Sequence, residues 1–300
     1  MSYVFHAGER EVQARAGTTE MADSVGQRII HDFISGQAQA FLEMQSMVII
    51  GSIDNNGGVW ASLLSGVPGF MGVQTERLLH IDAVPSNEDP LHANLQANPD
   101  VGLIAIEFAK RRRARLNGNA QVQPDGTLQI QAREVYHNCP KYIQARTVQS
   151  KHTPQPLHVT GRSTTLTASQ QKWIAHADTF FIATAAVESG ADVSHRGGNP
   201  GFVQVVGSNN LLFPDYQGNM MFNTLGNLVT NPHAGLLFFD FDQGKLLQLT
   251  GKAEIIWDEA QIAAVVGAER LVSYEVTAVV ESECAMPFEW KFQSYSPANP

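Results

Sequence analysis

The sequence predicts a mainly β chain built from two tandem copies of one small barrel, with minor helix. Three observations predict it: collinear self-similarity, short apolar runs at period two, and turn residues that punctuate those runs. Val48-Ile49-Ile50-Gly51-Ser52 returns in character as Phe180-Phe181-Ile182-Ala183-Thr184, and Val67-Pro68-Gly69-Phe70 as Asn199-Pro200-Gly201-Phe202, both at an offset of 132 residues. Leu78-Leu79 matches Leu211-Leu212, Asn98-Pro99 matches Asn231-Pro232, Gly102-Leu103 matches Gly235-Leu236, and Asn117-Gly118-Asn119-Ala120 matches Thr250-Gly251-Lys252-Ala253. These four pairs share an offset of 133. Collinear matches with a single one-residue slip point to a duplicated domain.

Taken in order, Met21 to Met44 carries apolar residues near helical spacing, broken at Ser35-Gly36, and reads as two helical pieces leading into the first barrel. Met47 to Ile53, Leu78 to Ile81 and Val101 to Phe108 read as strands, rich in Val, Ile, Leu and Phe. Asp54 to Gly58 and Gln123 to Thr127 read as hairpin turns, where Asn and Gly tolerate positive φ. Between the third and fourth strands of each copy a short helix ends at Asn-Pro, over Pro90 to Ala97 and Thr224 to Thr230. Val148 to Ser163, with Pro154 and Pro156, reads as a connector, and Ala168 to Asp178 as the helix entering the second barrel. The expected division is 1–160, the N-terminal helices and first barrel, and 161–300, the second barrel.

Composition narrows the function. The 300 residues are 43% hydrophobic, enough for a substantial core and against disorder. A formal charge of -9 with only 16% charged residues disfavours nucleic acid, which is held by clustered cations. Cys139 and Cys284 fall outside any zinc or redox spacing, and the ten histidines are scattered, so no metal site is expected. The N-terminus has no signal-like segment and no apolar run is long enough to span a bilayer, so the expected location is the cytoplasm. P-loop, Rossmann, zincin and α/β-hydrolase signatures are absent.

The informative feature is that the copies differ in polarity at matching places. Copy one has Trp60-Ala61-Ser62-Leu63-Leu64-Ser65-Gly66 where copy two has Asp192-Val193-Ser194-His195-Arg196-Gly197-Gly198. Copy two then offers Phe222-Asn223-Thr224-Leu225-Gly226-Asn227 at a strand-to-helix junction, where backbone N–H groups and the helix dipole favour an anion. Copy one has Glu88-Asp89-Pro90-Leu91-His92 there, whose carboxylates repel one. The bland alternative is that Ser194, His195 and Arg196 decorate an exposed strand while Asn223 and Thr224 cap a helix.

Two further segments belong to copy one alone. Tyr136 to Arg146 includes Asn138-Cys139-Pro140-Lys141-Tyr142. These residues admit a nucleophilic thiol at Cys139, with His137 and Lys141 to lower its pKa, but favour a packing role before proline. Lys110-Arg111-Arg112-Arg113-Ala114-Arg115 reads as a strand with Arg111, Arg113 and Arg115 on one face and Lys110 and Arg112 on the other. Copy two has Gln243-Gly244-Lys245-Leu246-Leu247-Gln248 there. A solvated edge and an anion contact are both open for the arginines.

Phe5-His6-Ala7-Gly8-Glu9, Trp60 to Leu64, Arg111 to Gly118, Asn138 to Ile143, Asp192 to Phe202 and Phe222 to Pro232 together resemble the flavin-nucleotide-binding proteins related to pyridoxamine 5'-phosphate oxidase. That resemblance implies two split β-barrels of the FMN-binding type, packed face to face with FMN between them. It implies that Val193, Ser194, His195 and Arg196 run past the cofactor. Asn223, Thr224, Gly226 and Asn227 would form its phosphate loop, although the related oxidase has a lysine near the place of Asn227. Arg113, Asn138, Cys139, Lys141 and Tyr142 would close the pocket from the first barrel, giving one composite site per chain.

The resemblance further implies an FMN-dependent oxidoreductase of unknown substrate, with NAD(P)H or a reductase partner as electron donor, and a pseudo-dimer within one chain that can itself pair as a homodimer. The oxidase activity itself is disfavoured, because the sequence ends at Tyr295 to Pro300 without the substrate-binding C-terminal segment of that enzyme. Two alternatives from the same superfamily are a non-catalytic flavin-binding module and a haem-binding split barrel, with His195 or His137 as axial ligand.

Overall fold

The computed structural model describes residues 5–137, 139–151, 157–283 and 288–300. Within them the first copy folds as β1 (Met47–Ile53), β2 (Val59–Ser65), β3 (Met71–Thr75), β4 (Leu78–Ile81), β5 (Asp100–Glu107), β6 (Arg112–Val122) and β7 (Leu128–His137). These form one antiparallel sheet in the order β2-β1-β5-β6-β7-β4-β3. After β8 (Ala145–Lys151) and β9 (His158–Ser163), the second copy repeats the plan. Its strands are β10 (Thr179–Ala186), β11 (Gly190–Gly197), β12 (Gln204–Val206), β13 (Asn210–Tyr216), β14 (His233–Asp240), β15 (Lys245–Ile256) and β16 (Ala268–Glu283). The order is β11-β10-β14-β15-β16-β13-β12, the same path strand for strand. Both copies even share a register shift, at Asn117/Gly118 in one and Thr250/Gly251 in the other.

The helices are α1 (Ala7–Arg15), α2 (Thr19–Ile29), α3 (Gly36–Glu43), α4 (Pro90–Ala97), α5 (Ala168–His176), α6 (Asn223–Thr230) and α7 (Glu259–Ala263). The two pieces expected within 21–44 are α2 and α3, and Ser35 begins the second by accepting from the Ala38 N–H. The first helix, α1, was not legible, because its apolar face is small. Both Asn-Pro helices are present, but they follow the fourth strand of each copy rather than the third, because Met71–Thr75 in the first copy and Gln204–Val206 in the second make an extra short strand.

Two expectations need correction. The stretch 148–163 is not a plain connector: β8 pairs with β17 (Phe288–Ser294), and β9 pairs with β16. The basic run is not one strand either. Phe108–Lys110 is a turn of 3-10 helix and Arg111 takes φ 51°, so the strand starts only at Arg112. Arg111 instead donates from Nε to the Ile143 carbonyl, tying the start of β6 to the chain after β7.

Each barrel has its own apolar core, centred on Val48, Leu79, Leu103 and Ile130 in the first and on Phe180, Phe213, Leu236 and Val279 in the second. A third core lies between them, built from Ile49, Ala61, Leu63, Ile104, Phe181, Val193, Leu237 and Leu246. It covers the edge strands β2 and β11, which would otherwise expose unpaired backbone. The approach is close at two related places. A Cβ on Gly102 of β5 would lie 2.5 Å from the Asp192 Cα of β11, and one on Gly235 of β14 would lie 2.6 Å from the Trp60 Cα of β2. Each barrel thus presses its edge strand onto a glycine of the other, which is the geometry of a pseudo-two-fold within one chain. No helix among the described residues is long and apolar enough to cross a membrane.

Candidate functional site

The pseudo-two-fold creates two equivalent clefts, each between the edge strand and helix of one barrel and the opposing β6 or β15 of the other. In the cleft beside β11 and α6, Arg113, Cys139, Lys141 and Tyr142 from the first barrel face Ser194, His195, Arg196, Asn223 and Thr224 from the second. With Tyr216 and Phe222 they line a cavity of about 790 Å³, counted to its open mouth. Nine sequence-predicted residues therefore meet in one place.

Three of the remaining four do not. Val193 is fully buried in the inter-barrel core against Gly51. Gly226 and Asn227 are covered by α1: Gly8 and Gly226 let the two helix backbones touch, and His6 Nε2 bonds Asn227 Oδ1 at 2.9 Å. Asn227 also donates to Thr184 Oγ1 at 3.0 Å. Asn138 lies outside the described residues.

Alternation along β6 and β11 decides which cation meets which partner. Arg113 and Arg115 point toward the second barrel while Arg112 lies over the Phe41 ring of the first. Arg113 Nη1 lies 2.8 Å from His195 Nδ1. Guanidinium only donates, so Nδ1 accepts and neutral His195 carries its proton on Nε2. Burial, then the surrounding guanidinium groups of Arg113, Arg196, Arg146 and Arg115, hold the His195 pKa well below the ordinary value, so the ring is neutral at physiological pH. Burial, with repulsion from Arg115 and Arg196, lowers Arg113 to about 9, which still leaves it cationic at pH 7.

Arg115, absent from the predicted set, is the keystone between barrels. It donates to Ser194 Oγ and to Tyr136, and lies 3.4 Å from Asp192. Burial opposes its charge, but Asp192 and Tyr136 outweigh that and raise its pKa. Ser194 in turn shares a 2.7 Å hydrogen bond with Thr224 at the start of α6. Asp215, also unpredicted, holds Arg196 at 2.7 Å and Arg270 at 2.8 Å. Arg115 was readable from strand alternation beside Arg113. Asp215 had no local signal, because it arrives on β13 through tertiary pairing.

What this cleft leaves unused is donors. Arg113 Nε, His195 Nε2 and Arg196 Nε are all buried without a hydrogen-bond partner. Helix α6 begins on Phe222, at φ 62° and with no side-chain cap, so its first N–H groups face the cleft unshielded. Tyr142, Met220 and Phe222 all adopt positive φ at this cleft, a strain that non-glycine residues sustain where a site demands it. Over the mouth, Tyr142 packs its ring on Tyr216 at 5.2 Å and donates to the Gln217 carbonyl at 3.0 Å, while Lys141 reaches Gln217 Oε1. His137 is turned elsewhere, edge-on to Phe41. Cys139 is a free thiol in the cleft wall.

The family model described as pyridoxamine 5'-phosphate oxidase matches residues 34–159 and again 166–283. The chain belongs to the pyridoxamine 5'-phosphate oxidase family. The two matched segments carry the two barrels, so the duplication is of the family's own domain. No curated protein matches the sequence. Among solved structures, HupZ of Group A Streptococcus is 13% identical, covering 37% of this chain and 90% of that one, with a TM-score of 0.31. The FAD binding protein from Mycobacterium smegmatis is 18% identical, covering 41% of this chain and 99% of that one, with a TM-score of 0.29. An F420 reductase is 15% identical over 38% of this chain and 95% of its own, with a TM-score of 0.29.

Proposed function

We propose that the chain, divided into barrels at 1–160 and 161–300, binds one FMN in the β11/α6 cleft and acts as an FMN-dependent oxidoreductase. The observation that carries this reading is the set of three unpartnered buried donors, Arg113 Nε, His195 Nε2 and Arg196 Nε, beside an uncapped helix N-terminus. Such a wall suits a ligand that brings several acceptors and negative charge. Aromatic rings of Tyr142, Tyr216 and Phe222 on the same cleft suit a flat ring system. A phosphorylated flavin combines both demands, and the family is named for an oxidase.

In this reading Thr224, Ser194 and the N–H groups of α6 hold the phosphate together with Arg196, whose own position is fixed by Asp215. Asn223 lies at the same helix start. Arg113 supplies a fixed positive charge from the opposite barrel, and His195, held neutral, donates a hydrogen bond from Nε2 instead of shuttling a proton. Lys141 and Tyr142 close the mouth against water, and Cys139 packs the wall. Bound FMN would supply hydride or electron transfer, and a nearby guanidinium favours an anionic reduced ring.

The test is the absorption spectrum of the purified chain, with heat release and mass identification of the chromophore. FMN near one equivalent per chain supports the composite site; a colourless protein that fails to take up added FMN overturns it. Anaerobic titration with NADH and NADPH then separates an oxidoreductase, whose flavin bleaches, from a flavin-binding module that waits for a reductase partner.

A further inference from the structure

Asp215 on β13 and Arg270 on β16 stand directly opposite each other in the antiparallel register, at a β-bulge. Each residue is 5% exposed, and an ion pair so deeply buried persists only where both partners are well engaged. Arg270 donates from Nε and from Nη2 to Asp215 Oδ2, at 2.9 and 2.8 Å, and Nη2 also reaches Glu269 Oε2 at 2.6 Å.

That leaves Asp215 Oδ1 for Arg196 of β11, which takes it through Nη1 at 2.7 Å. A carboxylate with both oxygens open draws a guanidinium into a two-bonded fork. By occupying Oδ2, Arg270 denies Arg196 that fork. Arg196 is thereby held at one corner, on the wall of the cleft, without committing its other N–H groups to Asp215.

The flat face of Arg270 has a separate contact. Its Cζ lies 4.8 Å from the centroid of the Phe222 ring and 5.6 Å from that of Trp257, both inside the range of about 6 Å for a cation on an aromatic face. Phe222 is the residue at φ 62° on which α6 begins, and its carbonyl accepts from the Gly226 N–H at 2.7 Å. A left-handed phenylalanine is disfavoured by its own backbone and persists where its surroundings hold it. Here the ring packs on the core of the second barrel and meets Arg270. Asp215, Arg196 and Phe222 line the cleft, and Arg270, which does not, touches two of the three and acts on the third through Asp215.

We propose that Arg270 is a positioning residue that sets the preference of the cleft for a phosphorylated over an unphosphorylated flavin. It restricts Asp215 to one bond with Arg196 and steadies the Phe222 start of α6, the two elements assigned above to the phosphate. The inference rests on the FMN reading and names what tunes that end of the site. Lysine does not replace it, because an ammonium on a flexible stem has neither the fork for Asp215 nor a flat face for Phe222.

The test is equilibrium dialysis of the full chain against FMN or riboflavin, which share ring and ribityl chain and differ in the phosphate. Wild type should prefer FMN by roughly 10- to 100-fold, as a charge-assisted phosphate contact requires. Arg270→Gln should cut that preference by roughly fivefold or more, with riboflavin affinity held within about twofold, and Arg270→Lys by about threefold. The lysine variant keeps the buried charge and decides the matter if the glutamine variant folds poorly. Equal weakening of both flavins marks a general structural role and overturns the inference, as does an unchanged preference in both variants. In either of those cases FMN binding by the wild type leaves the flavin reading standing, whereas a wild type that binds neither flavin overturns the two together.

Discussion

At one end of the barrel interface a helix begins on a carboxylate; at the other, the equivalent helix begins on a phenylalanine. Asp89 caps α4 by accepting from the Leu91 N–H at 2.8 Å, and at the position 133 residues later stands Phe222, which caps nothing. The contrast continues residue by residue. Ser62 corresponds to Ser194, but Ser62 donates to Asp89 at 2.5 Å where Ser194 shares a bond with Thr224. Gln248 corresponds to Arg115, and its amide reaches Ser62 and Asp89 where Arg115 reaches Ser194 and Asp192. Leu246, Leu63 and Leu64, all buried, stand where Arg113, His195 and Arg196 leave donors unmet. Even the helix anchors agree, with Asn94 on Ser52 at 2.9 Å and Asn227 on Thr184 at 3.0 Å. One scaffold thus yields two outcomes: a cleft closed by its own carboxylate and leucines, and one whose buried donors find no partner within the protein.

The largest effect expected from breaking this comparison is at its two keystones. Arg115→Ala leaves Asp192 buried without its cation and should cost about 3–5 kcal/mol in chemical denaturation. Gln248→Ala removes only a neutral amide and should cost about 1–2 kcal/mol. Equal losses would mean that the two clefts are held together in the same way.

Next comes Arg113→Leu, which installs the residue found at Leu246. FMN affinity should fall roughly 10- to 100-fold, the equivalent of about 1.5–3 kcal/mol for a charge-assisted contact, with an unchanged circular dichroism spectrum. Unaltered affinity would place the anion elsewhere.

Asp89→Asn probes the closed cleft through pH. Burial raises the Asp89 pKa against hydrogen bonds from Ser62, Leu91 and Gln248. The native state then holds this proton at pH values where the unfolded chain has lost it. Wild-type stability should therefore fall as pH rises from the ordinary carboxylate pKa toward the raised one, and the Asn variant should show a shallower fall. Parallel stability curves for the two proteins would remove the carboxyl from this role.

The smallest effect is at the open mouth. Tyr142→Phe removes one exposed hydrogen bond to the Gln217 carbonyl, about 0.5–1 kcal/mol, and should speed FMN release a few-fold in stopped-flow fluorescence.

Much of this contrast is legible in the sequence alone. The difference between Leu63-Leu64 and His195-Arg196, and between Asp89 and Phe222, appears as soon as the copies are aligned. Strand alternation likewise placed Arg113 and Arg115 on one face. The same reasoning failed for Arg111, because a left-handed residue after a 3-10 turn resets the alternation. It also failed for Gly226 and Asn227, whose junction looked open until α1 was seen to cover it.

What the sequence by itself determined was the duplication, the β class and the copy that carries the polar load. These follow from local rules: period-two burial, Gly and Asn at turns, and residue types at matched positions. The tertiary structure decided which groups meet. Arg113 and His195 are 82 residues apart and from different barrels, and His6 finds Asn227 across 221 residues. Such pairings follow from how the edge strands press onto Gly102 and Gly235 and how α1 lies on α6. Those close contacts are set by the packing of whole surfaces, which no spacing along the chain records.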